Sequence, residues 1–244
     1  MPTVRVFETA EEVAWAAAEM FVEIATEATA RNGRFSIALA GGNTPRRMYE
    51  LLATDDFRNR LNWTAIHLFF GDERCVAHDH PESNYRMVNE SLISRIDIPL
   101  SNIHPINGVG DPTANAALYE TELRNFFGNS STPKLDLVLL GLGEDGHTAS
   151  LFPDSAALAV TEKWVVANWV DKLQTFRITL TAPAINGAVS VIFLVSGANK
   201  ARAAKAVLNG PQQPANLPAQ FIKPETGSVT WLLDSEAASL LKDS

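Results

Sequence analysis

A chain of 244 residues with 46% hydrophobic side chains is long enough for one sizeable α/β domain and too apolar to remain disordered. Its net charge of −8 argues against a nucleic-acid partner, which would require a basic face, and its apolar runs are too short to span a membrane. The single cysteine, Cys75, excludes an internal disulfide, and acids interrupt the N-terminal segment where a signal peptide would be apolar. These observations favour a cytoplasmic protein.

The predicted elements alternate between helices and strands along the chain. A long amphipathic helix is predicted over residues 9–32, because Thr9 and Glu12 form a capping box and Gly33 follows the last turn. Short apolar runs typical of buried strands occur at residues 35–40, 65–70, 135–140, 164–170 and 189–195, with a final strand at 228–233. Helical patterns are found at residues 44–53, 83–95, 112–127 and 198–208.

This alternation predicts an α/β fold with an open, doubly wound, mostly parallel sheet and helices on both faces, as in Rossmann-like proteins. We find no internal repeat and expect a single domain over residues 1–244. Residues 211–224 contain four prolines and are predicted to form a structured loop over one edge of the sheet. The sequence leaves open whether this loop closes over a substrate.

Polar clusters follow four of the predicted strands. These clusters are GGNTPRR (41–47), GDER (71–74), GLGEDGHT (141–148) and SGANK (196–200). In an open parallel sheet, ligands bind outside the carboxyl ends of the strands. The sequence therefore predicts a functional site on one rim of the sheet, assembled from these four clusters.

The first cluster has the features of an anion-binding turn. Its two glycines permit a sharp turn, and Asn43 or Thr44 is predicted to cap a helix whose first position is Pro45. Free N–H groups at such a helix start bind phosphate or carboxylate, although an ordinary strand-to-helix turn favours the same residues. Arg46 or Arg47 could add positive charge, and the sequence does not say which of them faces a pocket.

Two other clusters supply candidate cations. Arg74 could grip a phosphate through two hydrogen bonds, but an ion pair within the Asp72–Glu73–Arg74 trio is the interpretation that these residues alone favour. Lys200, one turn into a helix, could reach back to the rim, and it could equally be a solvated lysine. His78 and His80 have acids nearby but no third ligand at a recognised spacing, so no metal site is predicted.

His147 is the candidate catalytic residue. It leaves a buried strand through three glycines, and Asp145 precedes it by two residues, a spacing that could let the carboxylate hold the second ring nitrogen. Residues 148–150 are a candidate helix start whose N–H groups could stabilise an oxyanion. General acid–base chemistry is therefore one hypothesis for this turn.

A dinucleotide site is the alternative, because Gly141, Gly143 and Gly146 fit the G-x-G-x-x-G spacing. Glu144 and Asp145 would repel a pyrophosphate, and a proline at position 153 interrupts the following helix. No acid lies at the spacing expected for a ribose contact. The sequence therefore predicts no nicotinamide cofactor.

Together these motifs resemble the 6-phosphogluconolactonases of the glucosamine-6-phosphate isomerase superfamily, over nearly the whole chain. The resemblance is carried by GGNTP (41–45), GDER (71–74), SNYRMV (83–88), NIHPI (102–106), LDLVLLGLGEDGHTASLFP (135–153), RITLTAPAIN (177–186) and SGANK (196–200). Asn43 departs from the serine common in the family. The isomerase branch shares GG-x-TP and DGH, but the resemblance there includes a glutamate five residues after the histidine, where this chain has Phe152.

The resemblance implies hydrolysis of 6-phospho-D-glucono-1,5-lactone in the pentose phosphate pathway, with His147 and Asp145 activating water. It implies substrate or phosphate contacts from Gly41, Gly42, Asn43, Thr44, Arg74, Gly146, Lys200 and Arg177. No cofactor or metal is expected, and the partner is a small sugar phosphate lactone, with the protein a monomer or small homo-oligomer. A glucosamine-6-phosphate isomerase or deaminase, and a non-catalytic sugar-phosphate-binding module, remain the alternatives.

Overall fold

The computed structural model describes residues 2–128 and 130–241; residues 1, 129 and 242–244 of the predicted domain lie outside this part. The strands are β1 (Thr3–Phe7), β2 (Phe35–Leu39), β3 (Ile66–Phe70), β4 (Asp72–Arg74), β5 (Ile103–His104), β6 (Leu137–Leu140), β7 (Val165–Val170), β8 (Thr175–Leu180), β9 (Ser190–Val195) and β10 (Ser228–Asp234). The helices are α1 (Ala10–Asn32), α2 (Asn43–Leu52), α3 (Asp55–Arg58), α4 (Asn84–Ser91), α5 (Pro112–Phe127), α6 (Ala182–Asn186) and α7 (Ala201–Asn209).

Seven strands form one parallel sheet in the order β1-β10-β9-β6-β2-β3-β5. The chain builds β2, β3 and β5 outward in one direction, then returns to the other side of β2 and continues through β6, β9 and β10. The strand order therefore reverses between β2 and β6. In such sheets a crevice opens outside the carboxyl ends of the strands at the reversal.

Helix α1 shows how local sequence sets an element's ends. Thr9 accepts from the Glu12 N–H and the Glu12 side chain accepts from the Thr9 N–H, so the predicted capping box is confirmed. The helix ends at Gly33, whose φ of 73° lies in the left-handed region that glycine adopts without strain. Its apolar side packs against β9, β10 and α2. The central strand β2 is buried along all five residues, as expected for a strand covered on both faces.

The predicted open parallel sheet is confirmed, with one correction. The strand predicted at 164–170 forms, but it lies in a separate antiparallel sheet of three strands, β4-β8-β7. β8 was not predicted as a strand. A short hairpin connection joins β7 to β8, so these two strands pair directly. A two-stranded hairpin requires antiparallel pairing, which excludes β7 from the parallel sheet.

Strands β1, β4 and β5 were also not predicted. β1 is an edge strand whose residues are largely exposed, so it lacks an apolar run, and β4 and β5 contain only three and two residues.

Among the helices in the described part of the chain, none has the length and apolar character needed to cross a bilayer. We expect a ligand to bind at the strand-order reversal, where the crevice opens.

Candidate active site

A cleft of about 430 Å³ lies at the reversal point, outside the carboxyl ends of β2, β6 and β9. All four polar clusters predicted for the rim contribute to it. Its polar and glycine lining consists of Gly41, Gly42, Asn43, Thr44, Gly71, Asp72, Arg74, Asn84, Gly141, Gly143, His147, Thr148, Ser196, Asn199 and Lys200. The prediction that the clusters converge on one site is confirmed.

The anion-binding turn forms at the start of α2, with a corrected cap. The N-cap is Gly42, at φ 106°, and no side chain caps the helix, so the predicted cap by Asn43 or Thr44 is wrong. Pro45 consequently occupies the third helical position, where the missing N–H also costs no helical hydrogen bond. The main-chain N–H groups at this end precede the first intrahelical bond, Arg46 N–H to Gly42 carbonyl at 3.1 Å. An uncapped helix start beside a cleft suits an anion.

Neither Arg46 nor Arg47 lines the cleft, which answers the question left by the sequence. Arg47 instead donates to Glu11 at 2.7 Å and to Glu50 at 3.1 Å on the outer face of α2. Arg46 is exposed on the same helix. The positive charge of the cleft therefore comes from other elements.

Glu73 is a fully buried carboxylate that organises the start of α4. It accepts hydrogen bonds from the N–H groups of Arg74, Asn84 and Tyr85 and from the Ser83 hydroxyl, at 2.7–3.0 Å. Burial raises the pKa of Glu73, and these four donors oppose that rise. The predicted ion pair within the Asp72–Glu73–Arg74 trio is therefore wrong, because main-chain and hydroxyl donors occupy the carboxylate.

Asp72 links three segments of the cleft floor. One carboxylate oxygen accepts from the Ser150 hydroxyl at 2.6 Å and the other from the Asn84 amide at 3.1 Å. A Cβ atom at Gly41 would lie 2.1 Å from the Asn84 side-chain oxygen, so only glycine permits this approach. Gly41 thus serves the packing of α4 as well as the turn before α2.

Arg74 lines the cleft, whereas Arg177 does not. The guanidinium of Arg74 donates to the main-chain carbonyl of Glu82, which holds its stem beside the cleft. Arg177 lies opposite Arg74 in the β4–β8 register, and its guanidinium turns back onto Thr175 and the Phe176 carbonyl. Burial, followed by the charge of Arg74, lowers the pKa of Arg177. Arg177 therefore lies beside Arg74 without lining the cleft, and its expected substrate contact stays a prediction.

His147 reaches the cleft with Asp145 directly behind it. The Nδ1 atom lies 2.5 Å from Asp145 Oδ1, and the His147 N–H donates to the same oxygen at 3.3 Å. Burial alone would raise the pKa of Asp145, but the hydrogen bonds and charge of His147, together with Lys172, outweigh it and lower that pKa to about 2. The carboxylate is thus ionised and directs Nε2 of His147 away from itself, toward the cleft.

Gly143 makes this arrangement possible. A Cβ atom there would lie 2.0 Å from His147 Nδ1 and 2.7 Å from Asp145 Oδ1. Gly143 is the second glycine of the G-x-G-x-x-G pattern. It must be glycine because the imidazole and the carboxylate pack against its main chain, in the space that a side chain would occupy.

Phe152 stacks on the other side of the imidazole. The ring centroids of His147 and Phe152 are 4.1 Å apart, and the planes are tilted by 24°. Phe152 occupies the position at which the isomerase branch is expected to carry glutamate. An apolar ring therefore covers the face of His147 that a carboxylate would otherwise approach.

The helix predicted to start at residues 148–150 does not form. Ala149 has a φ of 46°, a left-handed conformation that a right-handed helix excludes. The Thr148 hydroxyl donates to the Gly141 carbonyl at 2.8 Å, and the Ser150 N–H donates to the Thr179 hydroxyl at 3.2 Å. Residues 141–151 therefore form a closed turn, here called the His147 turn, and its Ser150 N–H is already engaged.

Gly146, which the resemblance implies as a substrate contact, is not among the residues that line the cleft. Its φ is 78°, and a Cβ atom there would lie 2.7 Å from the Leu217 side chain. Its carbonyl accepts from the Ala219 N–H at 2.9 Å. Both partners belong to residues 211–224, the proline-rich segment, which therefore packs on the outer side of the His147 turn.

The cluster after β9 completes the cleft. Lys200 is at the start of α7 and lines the cleft, while Asn199 donates to Glu144 at 2.7 Å and thereby ties this cluster to the His147 turn. Ser196 also lines the cleft, and its buried hydroxyl has no hydrogen-bond partner within the residues that the structure describes. Buried hydroxyl groups are normally hydrogen-bonded, so an oxygen atom of a bound substrate would suit this hydroxyl as a partner.

His78 and His80 do not form a metal centre. His78 contacts the Ile106 carbonyl at 2.9 Å and stacks near Tyr85, while His80 accepts from the Glu82 N–H. Across residues 2–128 and 130–241, no group of three or more histidine, cysteine or acidic side chains is arranged to hold a metal ion. These histidines instead make contacts within and beside the loop that follows Arg74.

Sequence reasoning missed Asn84, Ser196 and Lys172 as residues of the site or its surroundings. Asn84 begins a helix ten residues after the GDER cluster, where its residue type indicates only a helix start, and Lys172 lies at the tip of a hairpin whose second strand was not predicted. Ser196 stood within a recognised cluster, where the residue type gave no sign that its hydroxyl would be buried.

Comparison with known proteins places these features in a family context. The model of the family described as glucosamine-6-phosphate isomerases/6-phosphogluconolactonase matches residues 8–231. A 6-phosphogluconolactonase from Synechocystis sp. is 46% identical over 220 residues, covering 89% of each chain. The structure of 6-phosphogluconolactonase from Trypanosoma brucei aligns with a TM-score of 0.87 and 34% identity over 99% of each chain. A monomeric glucosamine-6-phosphate deaminase aligns with a TM-score of 0.82 and 25% identity, covering 98% of this chain and 99% of that one.

Proposed function

The chain belongs to the family of glucosamine-6-phosphate isomerases and 6-phosphogluconolactonases, and from this premise we propose that it hydrolyses 6-phospho-D-glucono-1,5-lactone to 6-phosphogluconate in the oxidative pentose phosphate pathway. It is an enzyme of the carboxylic ester hydrolase class. The observation that carries the proposal is the His147–Asp145 pair at the cleft, with Nδ1 and Oδ1 2.5 Å apart. This pair is suited to moving a proton, which lactone hydrolysis requires.

Phe152 favours the lactonase over the isomerase branch. Isomerisation of an amino sugar requires ring opening, for which the resemblance expects a carboxylate at this position. Here the position holds a ring stacked at 4.1 Å on His147, with no group that exchanges protons. Asp145 is therefore the carboxylate that contacts His147 in the proposed activation of water.

In the proposed mechanism, His147 acts as a general base. Asp145 fixes the ring and stabilises the imidazolium, while Nε2 removes a proton from a water molecule that attacks the C1 carbonyl of the lactone. Nearby main-chain N–H groups or a cation of the cleft stabilise the tetrahedral oxyanion. The protonated imidazole then returns its proton to the ring oxygen as the C1–O bond breaks. General acid–base catalysis of this kind contributes about 10²–10⁴-fold.

We propose that the phosphate binds between the start of α2 and the two cleft cations. Gly41, Gly42, Asn43 and Thr44 provide main-chain N–H groups and the positive end of the helix dipole. Arg74 and Lys200 line the same cleft and supply positive charge against the overall charge of −8. Phosphate held there places the lactone carbon on the side of the cleft where His147 lies.

The remaining expectations follow from this assignment. We propose one domain over residues 1–244, a small sugar phosphate lactone as the only ligand that catalysis needs, and a monomer or small homo-oligomer. Cys75 is a free thiol, which agrees with a reducing cytoplasm. No cofactor or metal takes part in any proposed step.

The deciding experiment compares two reactions. Hydrolysis of 6-phosphoglucono-1,5-lactone is followed in a pH-stat against the spontaneous rate, and isomerisation of glucosamine-6-phosphate is assayed alongside. We expect lactone hydrolysis only, and its loss in His147→Ala. Full activity of His147→Ala would reject the catalytic role of this residue, and substrate binding without turnover above the spontaneous rate would identify a non-catalytic binding module.

A further inference from the structure

Lys172 contacts the catalytic pair from outside the cleft. Its Nζ lies 3.2 Å from Asp145 Oδ2, the carboxylate oxygen that does not face His147. Lys172 is 71% exposed and does not line the cleft, whereas Asp145 is 26% exposed. One carboxylate oxygen of Asp145 therefore contacts the imidazole on the cleft side, and the other contacts the ammonium group on the outer side.

The hairpin that carries Lys172 is fixed at its tip. Trp169 and Phe176 face each other across β7 and β8, with centroids 5.0 Å apart, and the Trp169 indole donates to Asp171 at 2.7 Å. Gln174, at φ 48°, closes the turn through its N–H and side-chain amide, which both donate to the Asp171 carbonyl. The residues on each side of Lys172 are thus held, and its side chain extends from a defined turn toward Asp145.

We propose that Lys172 is a positioning residue for the reaction, which holds Oδ2 of Asp145 so that Oδ1 stays on His147. The inference rests on the proposed function. With both oxygens held, the carboxylate cannot rotate away from the imidazole between turnovers. Lys172 therefore maintains the orientation of the histidine.

Other charged groups around His147 do not replace this contact. Across the cleft from the imidazole lie Asp72, Arg74 and Lys200, and Glu144 on the His147 turn is bound to Asn199. Among the residues that the structure describes, the ion pairs of Asp145 are those with His147 and Lys172. Removal of Lys172 should therefore leave Oδ2 without a cationic partner.

The test compares Lys172→Met, which keeps the apolar stem, with Lys172→Arg and with Lys163→Met. Lys163 is an exposed lysine at the opposite end of the same hairpin and serves as the matched control. In Lys172→Met we expect kcat to fall several-fold with KM within about twofold, because Lys172 does not touch substrate. The low-field proton resonance of the imidazole–carboxylate hydrogen bond should weaken in Lys172→Met, because Oδ1 of Asp145 is then held less firmly on His147.

Lys172→Arg should restore both values, and Lys163→Met should match the wild type. This resonance, assigned with His147→Gln, tests the same contact without turnover. An unchanged kcat together with an unchanged low-field resonance in Lys172→Met would overturn the proposal, as would equal losses in the Met and Arg variants. Wild-type protein without lactonase activity would instead reject the proposed function.

Discussion

The Phe152 ring lies 4.1 Å from the imidazole of His147 and nearly parallel to it. Asp145 fixes one edge of the imidazole through Nδ1, and Phe152 covers one face. Together they leave Nε2 as the polar atom of the ring that faces the cleft. An aromatic contact therefore complements the carboxylate in orienting the proposed base.

Truncation of Phe152 should affect stability and activity together. Phe152 is only 9% exposed, so Phe152→Ala should lower the free energy of unfolding by about 3–5 kcal/mol. It should also lower kcat by roughly tenfold, since the imidazole gains freedom to rotate. Urea unfolding and steady-state kinetics measure the two effects. Phe152→Leu keeps apolar volume without the flat ring and should recover more stability than activity; recovery of both in equal measure would mean that stacking is unimportant.

Addition of one methyl group at Gly143 should separate His147 from Asp145. The new Cβ would lie 2.0 Å from Nδ1, so Gly143→Ala should lower kcat by about 100-fold or more, as loss of an oriented base does. The low-field proton resonance of the imidazole–carboxylate hydrogen bond should disappear.

Gly141→Ala is the comparison variant for that experiment. It adds the same group on the same turn, where no atom lies within 4 Å, and the low-field resonance should persist. Persistence of the resonance in Gly143→Ala as well would contradict the close packing described for this glycine.

Asp145 should contribute stability that depends on pH in a defined direction. Its pKa falls from an ordinary 3.8 to about 2 in the fold, so the contribution is complete above about pH 4 and is lost as the pH falls through 2. Asp145→Asn should therefore be less stable than wild type by about 1–2 kcal/mol at neutral pH, with the difference shrinking between pH 4 and 2. Denaturant unfolding followed by tryptophan fluorescence measures it. A difference that stays constant over this range would show that the carboxylate charge has no part in it.

The charge of Lys200 should matter only for phosphorylated substrate. A charge-assisted hydrogen bond contributes about 1.5–3 kcal/mol, so Lys200→Ala should raise KM for the phosphorylated lactone by roughly 10–100-fold. The KM for glucono-1,5-lactone without phosphate should change little. Lys205→Ala removes an exposed lysine from the same helix and controls for net charge. Equal KM increases for both lactones in Lys200→Ala would place Lys200 elsewhere on the substrate.

The parallel sheet could be predicted because its strands are buried on both faces and therefore read as continuous apolar runs. β2, β6 and β9 have this property, and the clusters that follow them form the cleft. The convergence of His147, Arg74 and Lys200 follows from the rule that parallel strands present their carboxyl ends at one edge. This part of the site depends on topology, and topology can be predicted from the order of helices and strands along the chain.

The errors have a different origin. The conformation of Ala149 is determined by contacts of its neighbours, since Ser150 is held by Asp72 and Thr179 from distant segments. Such contacts override the local preference for a helix. The direction of the Arg177 side chain likewise depends on a distant segment, through the antiparallel pairing of β4 with β8. Side-chain direction on an unpredicted strand cannot be obtained from residue type.

The contact between the proline-rich segment and Gly146 has a thermodynamic consequence. Four prolines restrict this segment in the unfolded chain, and the buried amide of Gln220 fixes it further through the carbonyls of Ala206, Val207 and Pro211. The segment already packs against the His147 turn in this structure, through Leu217 and Ala219. The conformational entropy of the turn is therefore lost during folding, so the substrate binds to a turn that is already ordered.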